Sequence, residues 1–287
     1  MLAIYKKEMK TYFHSIIGYV FIAFFLALIG LFVFFYNLNY EYADFSYTLY
    51  GIRMFGAFLF PIITMRLLAE ENKQKTDQLL FTSPLSIGKI IWGKYLAVVS
   101  IYAIVMAVSC FYPLVLSKYG TVNFKGDYAA ILAFFLLGCA YLAIGMFISA
   151  MTESQAFAAV ITLIVILLTV FSSTIAGFLP TDNKTAWLFF ALIFMILTLV
   201  IYAMMKNMTV TFLFCCISEI VLAVLYLVKP EIYDGSVVRV SDWFSVISRF
   251  DNFMYGILDV SAIAYYISIS LLFVFLTMQV IKKRRWS

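Results

Sequence analysis

The sequence predicts an all-α membrane protein, a bundle of helices that crosses the bilayer many times. Of its 287 residues, 65% are hydrophobic and 12% are charged, and the mean hydropathy is +1.02. A soluble domain carries about twice that share of charge, and one globular core could not hide so much apolar surface. The apolar residues also form long continuous runs instead of short alternating segments, which favours helices over a β-barrel.

Eight apolar stretches are long enough to cross a bilayer core, which needs roughly 20 helical residues. The predicted spans are residues 16–36, 51–69, 90–116, 128–150, 155–179, 186–205, 209–228 and 260–281. The first is too long for the apolar core of a signal peptide, so we interpret it as a retained span. The pair 186–228 is interrupted only by Lys206 and Asn207, which leaves a count of six open. We expect one transmembrane domain over residues 1–287.

The distribution of basic residues predicts the orientation. An even number of spans places both termini on one side, and Lys6, Lys7 and Lys10 then share that side with the basic run at 282–285. Positive charge favours the cytoplasmic side, so we expect both termini in the cytoplasm and the chain in the plasma (inner) membrane of a bacterium. Because the basic residues flank the spans, the formal net charge of +5 does not indicate a nucleic-acid partner.

Residues 1–14 predict a helix that lies on the inner leaflet. One face carries apolar side chains, and the opposite face carries the three lysines near anionic head groups. The apolar face consists of Leu2, Tyr5, Met9, Tyr12 and Phe13. The alternative is that these residues are the first turns of span one.

The inner loop at 70–89 contains the most polar run of the chain. Glu71 and Lys75 are four residues apart, which supports a helix that continues from span two. Pro84 then ends that helix, and Ser83 can cap a new one with Pro84 at its first position.

Residues 242–258 predict a short amphipathic helix at the outer interface, just before the last span. Ser241 or Asp242 can cap its start. Its apolar side chains recur three to four residues apart. They are Trp243, Ile247, Phe250, Met254 and Ile257.

The sequence offers no catalytic or metal centre. The single histidine, His14, lies at the inner interface and is interpreted as structural, and the four cysteines lie in apolar runs without metal-ligand spacing. Residues 88–95 match the first part of a phosphate-binding loop, but Tyr95 stands where Ser or Thr should hold Mg²⁺. We therefore expect no cofactor on this chain. Glu219 is the one acid clearly inside a run, and it is either functional or a helix-packing group.

Three groups of sequence segments together carry a resemblance to a known family. They are Tyr5-Lys6-Lys7-Glu8-Met9-Lys10-Thr11-Tyr12-Phe13 with Gly18-Tyr19-Val20; Pro61-Ile62-Ile63-Thr64-Met65-Arg66-Leu67-Leu68-Ala69-Glu70-Glu71 with Lys75 to Leu80, Thr82-Ser83-Pro84 and Gly93-Lys94; and Phe250-Asp251-Asn252-Phe253 with Gly256, Leu258-Asp259, Tyr265-Tyr266 and Lys283-Arg284-Arg285-Trp286. These segments resemble ABC-2-type permeases of the gliding-motility branch, and more distantly the permease that serves nitrous-oxide-reductase maturation. The similarity covers residues 1–100 and 243–287 well, and the middle of the chain only by hydropathy.

This resemblance implies the membrane half of an ATP-binding-cassette exporter with the type V exporter-like fold. Its core has six spans, so 186–228 would be an extra hairpin or partly re-entrant. The implied partners are a dimer of ATPase subunits that hold ATP and Mg²⁺, a second copy or homologue of the permease, and an extracytoplasmic accessory subunit. The ATPase would dock on the inner loop, which acts as a lever. The implied coupling residues are Glu70, Glu71, Lys73, Lys75, Thr76, Asp77, Leu79, Leu80 and Pro84.

In that family spans one, two and five line the midline, which implies a set of residues along the transport path. With so little charge, the path suits an amphipathic or lipid-like cargo or a hydrophobic peptide, although small residues equally serve close helix packing. The residues are Gly51, Phe55, Gly56, Phe58, Phe60, Ser172, Ser173 and Thr174. An ion-coupled secondary carrier and a membrane scaffold or sensor without transport activity are the alternative functions.

Overall fold

A computed structural model describes residues 1–75, 85–178, 182–205 and 208–286, and all regular secondary structure in these ranges is helical. The prediction of an all-α protein is confirmed. The α-helices are α1 (Leu2–His14), α2 (Ile16–Val33), α3 (Ser46–Gly56), α4 (Phe60–Thr64), α5 (Ala69–Gln74), α6 (Ile87–Ser109), α7 (Phe111–Leu116), α8 (Phe124–Met151), α9 (Gln155–Phe178), α10 (Asn183–Met205), α11 (Met208–Val228), α12 (Ser236–Phe244), α13 (Asp251–Met254) and α14 (Val260–Trp286).

Five helical stretches of the described chain are each long and apolar enough to cross a membrane, or up to seven if each of two bent pairs is one span. The five are Ile16–Asn39, Ile87–Leu116, Phe124–Met151, Gln155–Ile175 and Val260–Arg284. The bent pairs are Ser46–Gly56 with Phe60–Gln74, and Phe212–Val228 with Pro230–Phe244. The remaining predicted span, 186–205, lies within α10 (Asn183–Met205), of which only the apolar part Asn183–Met195 was compared, so it does not enter this count of the described chain.

The chain divides into two compact units. The first comprises residues 1–170 and 246–287, and the second comprises residues 171–245. In the first unit α8 is the most deeply packed helix, with 78% of its apolar window buried. Gly138 and Gly145 allow this packing, because a β-carbon at either position would meet Tyr102 or Thr64 at less than 3.0 Å.

Aromatic rings fill the interior of the first unit. The Phe25 ring lies 5.9 Å from that of Phe60, 5.6 Å from that of Tyr102 and 6.2 Å from that of Phe134. Aromatic rings at these separations gain stabilisation beyond the apolar area they bury. The core thus joins α2, α4, α6 and α8 into one body.

The second unit contains α10, α11 and α12. Its centre is Tyr233, whose hydroxyl donates to the Leu222 carbonyl at 2.9 Å and whose ring lies 5.9 Å from that of Tyr226. The 3-10 turn Pro230–Tyr233 follows α11, and the chain bends there by 112°. This unit contains the predicted extra hairpin at 186–228.

The second span is broken, whereas the sequence pattern predicts a continuous helix through 51–69 and beyond. α3 ends at Gly56, and α4–α5 continue after a bend of 56°. Pro61 lies in the first turn of α4, where its missing N–H and its ring oppose helix continuity with the preceding turn. A second interruption follows at Lys75, which has a left-handed φ of 55° and ends α5. The prediction that helix continues through Lys75 is therefore wrong.

The single outer helix predicted over 242–258 is also wrong. α12 ends at Phe244, and a 3-10 turn (Ser248–Phe250) and the four-residue α13 follow. Ser241 and Asp242 do not cap a helix start, because their carbonyls accept from the Ser245 N–H at the end of α12. Of the predicted apolar face, Ile247 and Phe250 are buried, whereas Trp243 and Ile257 are exposed. Phe253, on α13, is also buried.

Candidate coupling site

A buried ammonium group lies in the first unit where α1, α5 and α6 meet. Lys94 is on the first turns of α6, and only 1% of its side chain is exposed. Its Nζ lies 2.8 Å from Glu8 Oε1, 2.8 Å from Glu71 Oε1 and 3.2 Å from the Leu67 carbonyl oxygen. An ammonium has three N–H donors, and these three acceptors satisfy all of them. Lys94 therefore joins α1, the segment before α5, and α5 itself to α6.

α1 contributes one face to this site. Ile4, Glu8 and Tyr12 are buried and follow one another at four-residue intervals. The Tyr12 hydroxyl donates to the Ile63 carbonyl at 3.0 Å. Burial, together with the nearby Glu8 carboxylate, raises the pKa of Tyr12 well above its usual value, so the hydroxyl stays a donor. Gly93 gives α1 room, since a β-carbon there would lie 3.2 Å from Ile4.

The predicted apolar face of α1 is only partly correct. Tyr12 is buried and Tyr5 and Met9 are half-buried, but Leu2 is 66% exposed. Glu8, which the prediction assigned to neither face, is buried. The helix turns toward the protein because the Glu8 carboxylate has Lys94 as a partner there, and a paired carboxylate can be buried.

A second set of contacts holds α5 from the other side. The Ser149 hydroxyl, on α8, accepts from the backbone N–H groups of Leu68 and Ala69 at 3.1 and 3.0 Å. It also donates to the Met65 carbonyl at 3.2 Å. A hydroxyl that satisfies the free N–H groups of a helix start acts as its cap. The Asn72 side-chain amide donates to the Ala150 and Thr152 carbonyls at 3.3 and 3.0 Å. We refer to residues 65–74 as the elbow.

Acidic and basic side chains line a recess between α1 and the elbow. The recess has a volume of about 250 Å³. Its charged lining residues are Lys7, Arg66, Lys94, Glu8, Glu70 and Glu71. Arg66 donates from Nε to Glu70 at 2.7 Å, and the Lys7 ammonium lies 3.7 Å from Glu71. The lining is balanced in charge and paired, which is the composition expected of a rigid joint and not of an ion-binding cavity.

The predicted coupling residues fall into three groups. Glu70 and Glu71 have partners within the chain, as described above, and Glu71 pairs with Lys94 instead of the predicted Lys75. Lys73 and Lys75 are exposed. The remaining predicted residues lie outside the described part of the chain, and they are Thr76, Asp77, Leu79, Leu80 and Pro84.

Sequence reasoning missed three residues of this site: Glu8, Lys94 and Ser149. A signal for Lys94 was present, because a basic residue within an apolar run is costly unless paired. Residues 88–95, which resemble part of a phosphate-binding loop, are regular helix in α6. Lys94 there contacts two carboxylates.

The predicted path residues of the first unit serve different roles. Gly51 packs against Phe32 and Tyr36, whose rings lie within 3.0 Å of where its β-carbon would be. Gly56 and Phe60 are buried in the core. Phe55 and Phe58 are about half exposed, so they are the members of the set that face the surroundings of the unit.

The other predicted polar residues lie in separate places. Ser172 is buried, Ser173 is half-buried and Thr174 is exposed, all in the second unit. The Glu219 Oε1 atom is buried without a hydrogen-bond partner in the described part of the chain. Arg53, on α3, forms an ion pair with Asp251 and lies 3.8 Å from the Tyr50 ring centre.

The fold and this site define a class: a multi-pass helical membrane protein with a buried charged joint at the root of a polar loop. Residues 36–228, more than half of the chain, match the protein family described as ABC-2 family transporter protein. The chain belongs to the ABC-2 transporter family, and it is a permease subunit of an ABC transporter, which is not itself catalytic. No curated protein and no solved structure matches the chain.

Proposed function

We propose that this chain is the membrane half of an ATP-driven exporter and that separate ATPase subunits move it through the inner loop at 70–89. The observation that carries the proposal is the contact of the Lys94 ammonium with Glu8, Glu71 and the Leu67 carbonyl. Through it, force applied to the loop reaches α1 and α6 together.

The physical basis of the proposal is stiffness. ATP and Mg²⁺ are held by the ATPase subunits, so binding energy must cross to helices that hold no nucleotide. Surface ion pairs transmit little because water screens them, whereas an ion pair removed from water resists separation. Lys94 is almost fully buried, and Ser149 holds the same elbow from α8. A displacement of the elbow therefore moves α1, α6 and α8 as one body.

The direction of the force path then suggests how the transport route opens. α1 ends at His14 and α2 begins at Ile16, with only Ser15 between them. Movement of α1 would be passed to the first span, and movement of the elbow to the second. In the proposed complex two permeases, identical or homologous, pair in the plasma membrane of a bacterium with their termini in the cytoplasm.

The cargo is proposed from the same surfaces. Phe55 and Phe58 leave about half of their side chains exposed on the second span. The basic residue nearest to them in sequence, Arg53, is paired with Asp251. Such a lining suits an amphipathic or lipid-like molecule or a hydrophobic peptide. By its resemblance to the gliding-motility branch, the complex would also include an extracytoplasmic accessory subunit.

The test uses a tagged full-length chain purified in mild detergent with its co-expressed ATPase, then reconstituted in liposomes. We expect vanadate-sensitive ATP hydrolysis that cargo stimulates. In Lys94→Met we expect the ATPase still to co-purify while stimulation is lost. Lys89→Gln is the matched control, because Lys89 is an exposed lysine on the same helix.

Three results would reject the proposal. Full stimulation of hydrolysis in Lys94→Met would show that the buried joint does not transmit force. Transport driven by an ion gradient without any ATPase bound would instead identify a secondary carrier, and a complex with no transport at all would identify a scaffold or sensor.

A further inference from the structure

We propose that a basic recess beside the end of α1 binds the phosphate head group of an anionic phospholipid from the leaflet on the inner-loop side. The recess is lined by Lys10, Thr11, His14, Ser15 and Arg66. All three ionisable side chains in this lining are basic types, whereas the adjacent recess near Lys94 also contains three carboxylates. The two recesses meet at Thr11 and Arg66, so the change in lining is abrupt.

Hydrogen bonds within the recess identify which groups remain for a ligand. The Thr11 hydroxyl donates to the Lys7 carbonyl at 3.0 Å and the Ser15 hydroxyl donates to the Tyr12 carbonyl at 3.1 Å. These two donors are therefore engaged. His14 Nδ1 lies 2.8 Å from the Lys10 carbonyl oxygen, so this nitrogen carries the hydrogen. Nε2 then donates to a phosphate oxygen only when the ring is in its imidazolium form, in which both nitrogens are donors.

Arg66 contributes a second element to the site. Its Nε donates to Glu70, which leaves the two terminal nitrogens of the guanidinium. Those nitrogens match the spacing of phosphate oxygens. Glu70 offsets one positive charge, but Lys10 forms no ion pair with the described residues. The recess thus keeps net positive charge toward an anion.

Exposed apolar side chains adjoin both sides of the recess. Tyr19, four residues after Ser15, is 57% exposed, and Ile62, four residues before Arg66, is 38% exposed. Phe58 lies one further turn away and is also exposed. Basic groups followed by exposed apolar surface suit a lipid, with its phosphate in the recess and its acyl chains along the first two spans. A soluble phosphate would use the recess alone.

Native mass spectrometry of the purified full-length chain tests this site without any ATPase, so its result is independent of the proposed coupling. Phosphatidylglycerol and phosphatidylcholine with identical acyl chains are added in equal amounts. We expect retention of one phosphatidylglycerol per chain in preference to phosphatidylcholine. Lys10→Gln should lower that preference about fivefold, the worth of one basic residue near an anionic surface, and His14→Gln should lower it further in the double variant.

Lys6→Gln is the matched control, since Lys6 is exposed on the same helix but does not line the recess. It should leave the preference unchanged. Equal retention of the two lipids by the wild-type chain, or an unchanged preference in Lys10→Gln, would overturn the proposal. Displacement of the lipid by an equal concentration of glycerol 1-phosphate would also overturn it, because the ligand would then be a soluble phosphate.

Discussion

The Lys94 ammonium is buried and paired with two carboxylates, and a single substitution in such a group lowers the free energy of unfolding strongly. Removing one partner of a buried ion pair leaves the other charge without compensation, at a cost of about 3 to 5 kcal/mol. Replacing all partners by neutral groups of similar shape avoids that cost. The joint therefore predicts a specific stability pattern, in which the combined replacement destabilises the chain less than the single one.

We predict that Lys94→Met lowers the unfolding temperature of the detergent-purified chain markedly. The combined variant Glu8→Gln, Glu71→Gln, Lys94→Met should recover most of the loss, since no buried charge is then unpaired. Fluorescence-monitored thermal unfolding measures both. Lys89→Gln should have no effect, and a combined variant less stable than Lys94→Met alone would contradict this account.

A buried carboxylate also holds the start of α3. Asp127, on α8, accepts from the backbone N–H groups of Phe45 and Ser46 at 3.0 and 2.9 Å. These N–H groups open α3 and have no partner within the helix. Asp127 thus caps a helix that lies far from it in sequence, and it fixes where α3 begins.

We predict that Asp127→Ala destabilises the chain by about 1 to 2 kcal/mol, the cost of a lost helix cap. Asp127→Asn should destabilise the chain less than Asp127→Ala, because one side-chain oxygen remains to accept a hydrogen bond. Chemical unfolding followed by circular dichroism measures the free energy of unfolding of the wild type and both variants. Glu231 is an exposed acid in the 3-10 turn Pro230–Tyr233, and Glu231→Gln should have the stability of the wild type. Equal losses of stability in Asp127→Asn and Asp127→Ala would argue against the cap.

At the scale of elements, the end of α5 depends on an unfavourable backbone conformation. Lys75 has a φ of 55°, in the left-handed region that costs residues with a β-carbon roughly 1–2 kcal/mol. Glycine adopts this conformation readily, and it is common at the end of helices for that reason. The elbow therefore stops at Gln74 despite a local sequence that favours helix.

We predict opposite effects of glycine at two neighbouring lysines. Lys75→Gly should raise stability by up to about 1 kcal/mol, because it relieves the left-handed residue. Lys73→Gly should lower stability by a similar amount, because Lys73 lies inside α5. Thermal unfolding of both variants under identical conditions checks the signs. A loss of stability in both variants would show that Lys75 does not end α5 in a left-handed conformation in solution.

The elements that sequence predicts well are those defined by hydropathy alone. A run such as 128–150 has one stable solution in lipid, so its helix, α8, follows directly. The bend before Pro61 cannot be predicted from hydropathy. The sequence shows the proline, but it does not show the packing of neighbouring helices that sets the angle of the bend. At residues 242–258 the sequence pattern misleads. Apolar residues spaced three to four apart are compatible with one long helix and equally with the end of α12, a 3-10 turn and α13.

The candidate site was predictable only in part. The polar loop after span two is visible from composition, and so are Glu70 and Glu71. Their partners are not, since Glu8 lies 86 residues from Lys94 and Ser149 lies 81 residues from Leu68. Pairing at such separations is decided by which helices pack together, and no local pattern carries that information.

At the scale of the whole molecule, the buried joint requires that distant elements respond together. α1, the elbow and the start of α6 share one ammonium, and α8 holds the elbow through Ser149. If ATPase subunits displace the loop, these segments have to change in a correlated way. A loop that merely docks a partner would change alone.

We predict that correlation in hydrogen–deuterium exchange of the reconstituted complex. Trapping the ATPase with ATP and vanadate should alter protection in peptides from α1, residues 65–74 and the first turns of α6 at the same time. In Lys94→Met the peptides of the elbow should still respond while those of α1 respond much less, because the buried ammonium that joins them is gone and the solvent-exposed Lys7–Glu71 pair is the remaining ion pair between them in the described chain. Lys89→Gln should behave as the wild type. If α1 responds equally in Lys94→Met, force enters the first span by another route, since only the Lys94 contact to Glu8 was removed on that side.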